Sequence, residues 1–241
     1  MNDLKKTPTV ASFFSGAMGL DIGLEKAFRK PSVRDFGSTP EVHRMLRGVL
    51  NDSPSEVAKA IADGADPNVV GEKGLTPLLF SLAHKGHLKG ISALLDGGAD
   101  PNWGPPDLPQ PMNIAASDCD GKLLRLFLGH GAKVDVPADL GHWCRPYTGS
   151  AVYARCFDNY HLLLDAGADV NAIQTSFPLL VLLIDLEHWD LAVELVARGA
   201  SIRSVLEAGR TPELLSRYAP SVGSSKRDAY EKIVHLLKAV Q

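Results

Sequence analysis

Three groups of residues have types and spacing that bear on chemistry. Residues 10–27 run from an apolar stretch through Phe14-Ser15-Gly16-Ala17-Met18-Gly19 into a segment with Leu20, Leu24 and Ala27 on one helical side. A strand, glycine turn and helix in that order place backbone amides at a helix start, where they can meet an anionic group that a Cβ would hold off. The second group is His142, Cys144, Cys156 and His161, with one, eleven and four residues between successive members. That spacing matches no standard zinc pattern, and cysteines are common in packed helices, so no metal site is expected. The third would be an activated nucleophile. The chain has eight histidines, but no serine stands in a glycine elbow and no Ser/Cys–His–carboxylate set is recognisable. No catalytic residue is expected, and the chain is not read as an enzyme.

The glycine turn is similar to the first motif of DNA cytosine-5 methyltransferases, through Phe14-Ser15-Gly16-Ala17-Met18-Gly19 followed by Leu20-Asp21-Ile22-Gly23. That resemblance implies S-adenosylmethionine contacts at Phe14, Gly16 and Gly19. It covers residues 10–27 only. The family's Pro-Cys nucleophile and its Glu-Asn-Val segment are missing, and no second strand leads into Asp35 to make it an acidic ribose ligand. An intact methyltransferase is therefore excluded unless a second chain supplies the rest. Residues 1–37 are read as an N-terminal extension that either covers the open apolar edge of the first repeat or is poorly ordered, and no cofactor is assigned. The alternative is an S-adenosylmethionine-binding accessory component of a DNA cytosine methylation or restriction system.

Any such turn needs a scaffold, and composition bounds it. Of 241 residues, 45% are hydrophobic and 22% charged, which is the balance of a chain that builds a core. The net charge of −3 argues against a general nucleic-acid binder, whose affinity comes from neutralising phosphates. No apolar run reaches the roughly 18 residues of a membrane span. Lys5 and Lys6 precede an apolar stretch, but Gly16, Gly19 and Asp21 interrupt it and no A-x-A site follows, so a signal peptide is not expected. Cys119, Cys144 and Cys156 are an odd number without framework spacing. They predict free thiols in a reducing compartment and a cytoplasmic protein.

Self-similarity dominates the rest of the chain. Gly64-Ala65-Asp66-Pro67-Asn68 recurs as Gly98-Ala99-Asp100-Pro101-Asn102, Gly131-Ala132-Lys133-Val134-Asp135, Gly167-Ala168-Asp169-Val170-Asn171 and Gly199-Ala200-Ser201-Ile202. Each phrase follows an apolar helical run. A glycine just past a helix end can take the left-handed conformation that closes the last carbonyls, and Asp or Asn then suits a turn. Thr76-Pro77 and Thr211-Pro212 mark helix starts, with threonine as N-cap and proline first in the helix. Ser53-Pro54-Ser55-Glu56 reads as a capping box.

These residues resemble the ankyrin-repeat family, whose unit of about 33 residues is a turn and two helices. Gly74-Leu75-Thr76-Pro77-Leu78 through Gly86-His87 to Gly98-Ala99-Asp100 carries the best match, with Leu79 where the family has histidine. The expectation is an all-α solenoid of five to six repeats over residues 38–241. The resemblance implies binding through loops and first-helix faces. Loop candidates are Glu72, Lys73, Trp103, His142, Trp143, Arg145 and Tyr147; outward positions on first helices are Phe80, His84, Asp118, Tyr153 and Asp185. Aromatic and arginine side chains on loops are frequent interface anchors, although the rings can equally tuck back onto their own helices. The reading is a module that docks onto, inhibits or regulates another protein bearing a basic or amphipathic patch.

Overall fold

Each recurring glycine ends a helix by the same geometry. The computed structural model describes residues 31–84, 87–104, 110–135, 146–174 and 177–241, apart from the side chains of Lys73 and Gln174. Gly64, Gly98, Gly131, Gly167 and Gly199 all have positive φ, between 78° and 105°. The alanine after each donates its amide to a carbonyl five residues back: Ala65 to Ala60, Ala99 to Leu94, Ala132 to Phe127, Ala168 to Leu163 and Ala200 to Leu195, at 2.9–3.1 Å. A left-handed residue is what lets the chain reverse onto those carbonyls. A Cβ at Gly98 would meet nothing within 4 Å, so Gly98→Ala tests backbone strain alone. It is expected to cost about 1–2 kcal/mol in urea denaturation.

Among the described residues there are thirteen α-helices and one short two-stranded ribbon, so the architecture is all-α. In the first of two compact units, residues 1–161, the helices are α1 (Pro40–Leu50), α2 (Pro54–Ala62), α3 (Pro77–Ala83), α4 (Leu88–Asp96), α5 (Pro111–Ala116), α6 (Lys122–Gly129) and α7 (Tyr147–Ala154). The boundary falls within α8 (Phe157–Asp165). First helices pack on first helices, α1 on α3, α3 on α5 and α5 on α7, while second helices pack α2 on α4 and α4 on α6. In the second unit, residues 162–241, a ribbon of β1 (Ile173–Gln174) and β2 (Phe177–Pro178) leads into α9 (Leu179–Asp185). Then come α10 (Trp189–Ala197), α11 (Arg203–Glu207), α12 (Pro212–Leu215) and α13 (Arg227–Ala239), with α10 and α12 both packed on α13.

The caps follow the sequence where the chemistry is strictly local. Thr76 Oγ1 accepts the Leu79 amide at 3.2 Å, and Thr211 Oγ1 accepts that of Leu214 at 3.3 Å. Ser53 departs from expectation: no side-chain cap forms, and its hydroxyl lies 3.5 Å from Ser55 Oγ. The reciprocal half of a capping box occurs earlier instead, where the Ser32 amide donates to the Asp35 carboxylate at 2.6 Å. That bond engages Asp35, and the neighbouring Phe36 is buried edge-on against Phe80, 5.4 Å between ring centres.

The three-free-thiol expectation is overturned. Cys119, in the turn between α5 and α6, is joined by a disulfide to Cys156, in the turn between α7 and α8. Their Cα atoms are 4.7 Å apart, inside the range a disulfide requires. The 37-residue separation is about one repeat, so stacking brings equivalent turns of successive helix pairs side by side.

One ion pair between successive second helices is sensitive to pH. His130 Nε2 lies 3.0 Å from Asp96 Oδ1, and its Nδ1 lies 2.8 Å from the Leu126 carbonyl. Both ring nitrogens face acceptors, so only the doubly protonated imidazolium satisfies both. The His130 pKa is accordingly raised, chiefly by its bond to the Asp96 side chain and next by the Leu126 carbonyl. A folded pKa above the unfolded value gives stability that is complete below about pH 6.5 and fades as pH rises through the folded pKa. Urea midpoints are therefore expected to fall between pH 5.5 and 8 by more in the wild type than in Asp96→Asn. Parallel pH profiles would remove the pair as their cause.

Candidate partner-binding surface

Three of the turns between successive helix pairs are held by a repeated asparagine. Asn68 Nδ2 donates to the Gly98 carbonyl at 2.8 Å, and Asn68 Oδ1 accepts the Asp100 amide at 2.7 Å. One repeat on, Asn102 Oδ1 accepts the Lys133 amide at 2.6 Å. In the second unit Asn171 Oδ1 accepts the Ser201 amide at 2.9 Å. Each asparagine is itself fixed, since its amide donates at 2.8 Å to the aspartate two residues before it: Asp66, Asp100 or Asp169. Local Asx turns therefore set the side chain that ties one turn to the next.

Immediately beyond these asparagines the chain exposes large apolar side chains. Val70 is 54% exposed and Trp103 43% in the first unit; Ile173 is 58% and Phe177 41% exposed in the second. Trp103 is thus on the surface, as the sequence suggested, and Glu72 beside Val70 is exposed as well. Val70, Ile173 and Phe177 escaped the sequence reading. Their signal was an apolar residue two places after the asparagine, at Val70 and Ile173, which a count of aromatic and arginine residues does not detect.

Two candidates are corrected. Phe80 is fully buried, packed against Phe36 and 4.3 Å from the His84 ring. Every residue of α3 from Pro77 to Leu82 is buried, so the helix has no solvent face at that point. Tyr147 is 1% exposed at the start of α7 and belongs to the core rather than to a loop.

The remaining first-helix positions lie near helix C-termini. His84 and Tyr153 are half-buried, and His84 Nδ1 bonds the Phe80 carbonyl at 2.9 Å. Asp118 is exposed, with a carboxyl pKa raised first by partial burial and then by the Asp120 charge. Asp120 itself is lowered, chiefly by the Lys122 amide. Asp185 is exposed but held in the second unit by Arg210, whose Nε and Nη2 reach its two oxygens at 3.1 and 2.6 Å. The same guanidinium lies 4.7 Å over the Phe177 ring. Asp185 is therefore an anchor for Arg210 rather than an open acidic position.

His142, Trp143 and Arg145, the Lys73 side chain, and Phe14, Gly16 and Gly19 all lie outside the described residues. Of the four residues weighed as metal ligands, Cys156 is committed to the disulfide. Among the described residues no three His, Cys, Asp or Glu side chains come together to hold a metal ion. No described helix is long and apolar enough to cross a membrane. Comparison with models of known protein families finds no match, and no curated protein matches the sequence.

Proposed function

We propose that this chain is an ankyrin-repeat protein that binds another protein through the tips of its inter-repeat turns. The carrying observation is the pairing of rigid turns with exposed apolar tips: Val70 and Trp103 stand out on a backbone tied down by Asn68 and Asn102. Exposed apolar groups on a preorganised backbone bind at a reduced ordering cost, and tryptophan is among the residue types enriched as interface anchors. The glycine and alanine at each helix end, the threonine-proline starts and the stacking of first helices on first helices support the repeat reading. Glu72, Asp66 and Asp100 lie near these tips and favour a partner with basic groups around an apolar centre.

The test is an affinity capture using wild type and Val70→Ala/Trp103→Ala as baits. A partner retained by the wild type is expected to bind the double variant about ten- to hundredfold more weakly. The variant's melting temperature should be unchanged, because both side chains are exposed. Equal retention by both baits would move the interface away from these turns.

A further inference from the structure

We propose that the Cys119–Cys156 bridge is an exchangeable thiol–disulfide site, opened by a dithiol that attacks the Cys119 sulfur. Cys119 is exposed in its turn, whereas Cys156 is only 3% exposed. An incoming thiolate must approach in line with the sulfur–sulfur bond from solvent, so access selects Cys119. The fate of the electron pair points the same way. Cys156 stands at the head of the nine-residue helix α8, and its carbonyl accepts the Asn159 and Tyr160 amides at 3.0 and 3.1 Å. The positive end of that helix favours negative charge developing on the Cys156 sulfur. Cys119 lies between Asp118 and Asp120, whose carboxylates disfavour a thiolate there.

The step balances without an external electron source other than the dithiol. Its first thiolate forms a bond to Cys119 Sγ, the Cys119–Cys156 bond breaks, and the pair leaves on Cys156, which takes up a proton. The second thiol then attacks the mixed disulfide, Cys119 leaves as thiolate and is protonated, and the dithiol becomes a cyclic disulfide. Two electrons pass from dithiol to protein.

Acceptors already stand beside both sulfurs for the reduced state. The Ser117 carbonyl is 3.3 Å from Cys156 Sγ, and the Ala154 carbonyl is 3.9 Å from Cys119 Sγ. A thiol at either position can donate weakly across to the neighbouring turn. The turns also keep a second tie, because Asn159 Nδ2 donates to the Ala115, Ala116 and Asp118 carbonyls at 3.3, 3.1 and 2.7 Å. Opening the bridge therefore loosens one joint between successive helix pairs while the helices themselves persist.

The test uses the whole folded chain, oxidised, without denaturant. Brief exposure to glutathione, acid quench, alkylation in denaturant and peptide mapping should place the first mixed disulfide on Cys119 at least about tenfold over Cys156. Dithiothreitol should then free both thiols with the helical circular dichroism unchanged, and Cys144→Ser should behave identically. A bridge that yields to dithiothreitol only on unfolding, a first adduct on Cys156, or an oxidised chain in which Cys144 replaces either partner would each overturn the proposal.

Discussion

Cys119→Ser is expected to remove about 3–4 kcal/mol of stability under oxidising conditions, the entropy regained when a 37-residue cross-link is lost from the unfolded chain. The readout is the urea midpoint at fixed slope. Oxidised wild type should unfold at the highest urea, while the variant and wild type in dithiothreitol should unfold together at lower urea. The effect is large because the bridge spans a whole repeat, and the unfolded ensemble gains freedom over all of it. Adding dithiothreitol to the variant should change nothing. Equal midpoints for oxidised wild type and variant would mean that the two turns are not covalently joined.

Asn159→Ala is expected to cost about 2–3 kcal/mol, from a single buried side chain with no apolar area of consequence. Asn159 is 1% exposed, and its Nδ2 is the donor for three carbonyls at the end of α5 and in the turn beyond it. Two of those acceptors, the Ala115 and Ala116 carbonyls, belong to fully buried residues, so water does not simply replace the lost donor. Asn159→Asp should be worse than alanine. It keeps the shape but brings a carboxylate up to three carbonyl oxygens, with no hydrogen to offer unless protonated. A carboxylate variant as stable as wild type would contradict the role given to Nδ2. Because Asn159 and the disulfide tie the same turns, the Cys119→Ser/Asn159→Ala pair should be non-additive, with a coupling of about 0.5–3 kcal/mol.

Much of this fold can be read along the chain because the signals are local. A glycine with positive φ, an alanine amide reaching five residues back and an Asp-x-Asn turn each involve fewer than ten neighbouring residues, so the recurring phrase carries its own geometry. Thr76 and Thr211 cap as their types suggest for the same reason. Ser53 does not, because a cap needs a side-chain rotamer as well as a residue type, and Ser55 provides a competing partner.

The surface was less legible. Trp103 stands on the outside, and a tryptophan among prolines and glycine announces such a place. Repeat register puts Phe80 outward and residue type puts Tyr147 on a loop, yet both lie buried within helices, where an apolar period cannot distinguish one buried face from another. Val70 and Ile173 are the converse: ordinary apolar residues that the asparagine ties hold in solvent.

The amino-acid sequence by itself determined where helices stop and turn, since those choices are made by backbone conformations and hydrogen bonds between near neighbours. Which distant residues meet was settled by stacking alone. Cys119 with Cys156, Asp96 with His130 and Asn159 with the end of α5 are each separated by more than thirty residues. No local pattern marks them as partners. They become neighbours only when helix pairs of nearly equal length are laid side by side, and that register comes from apolar burial between the pairs.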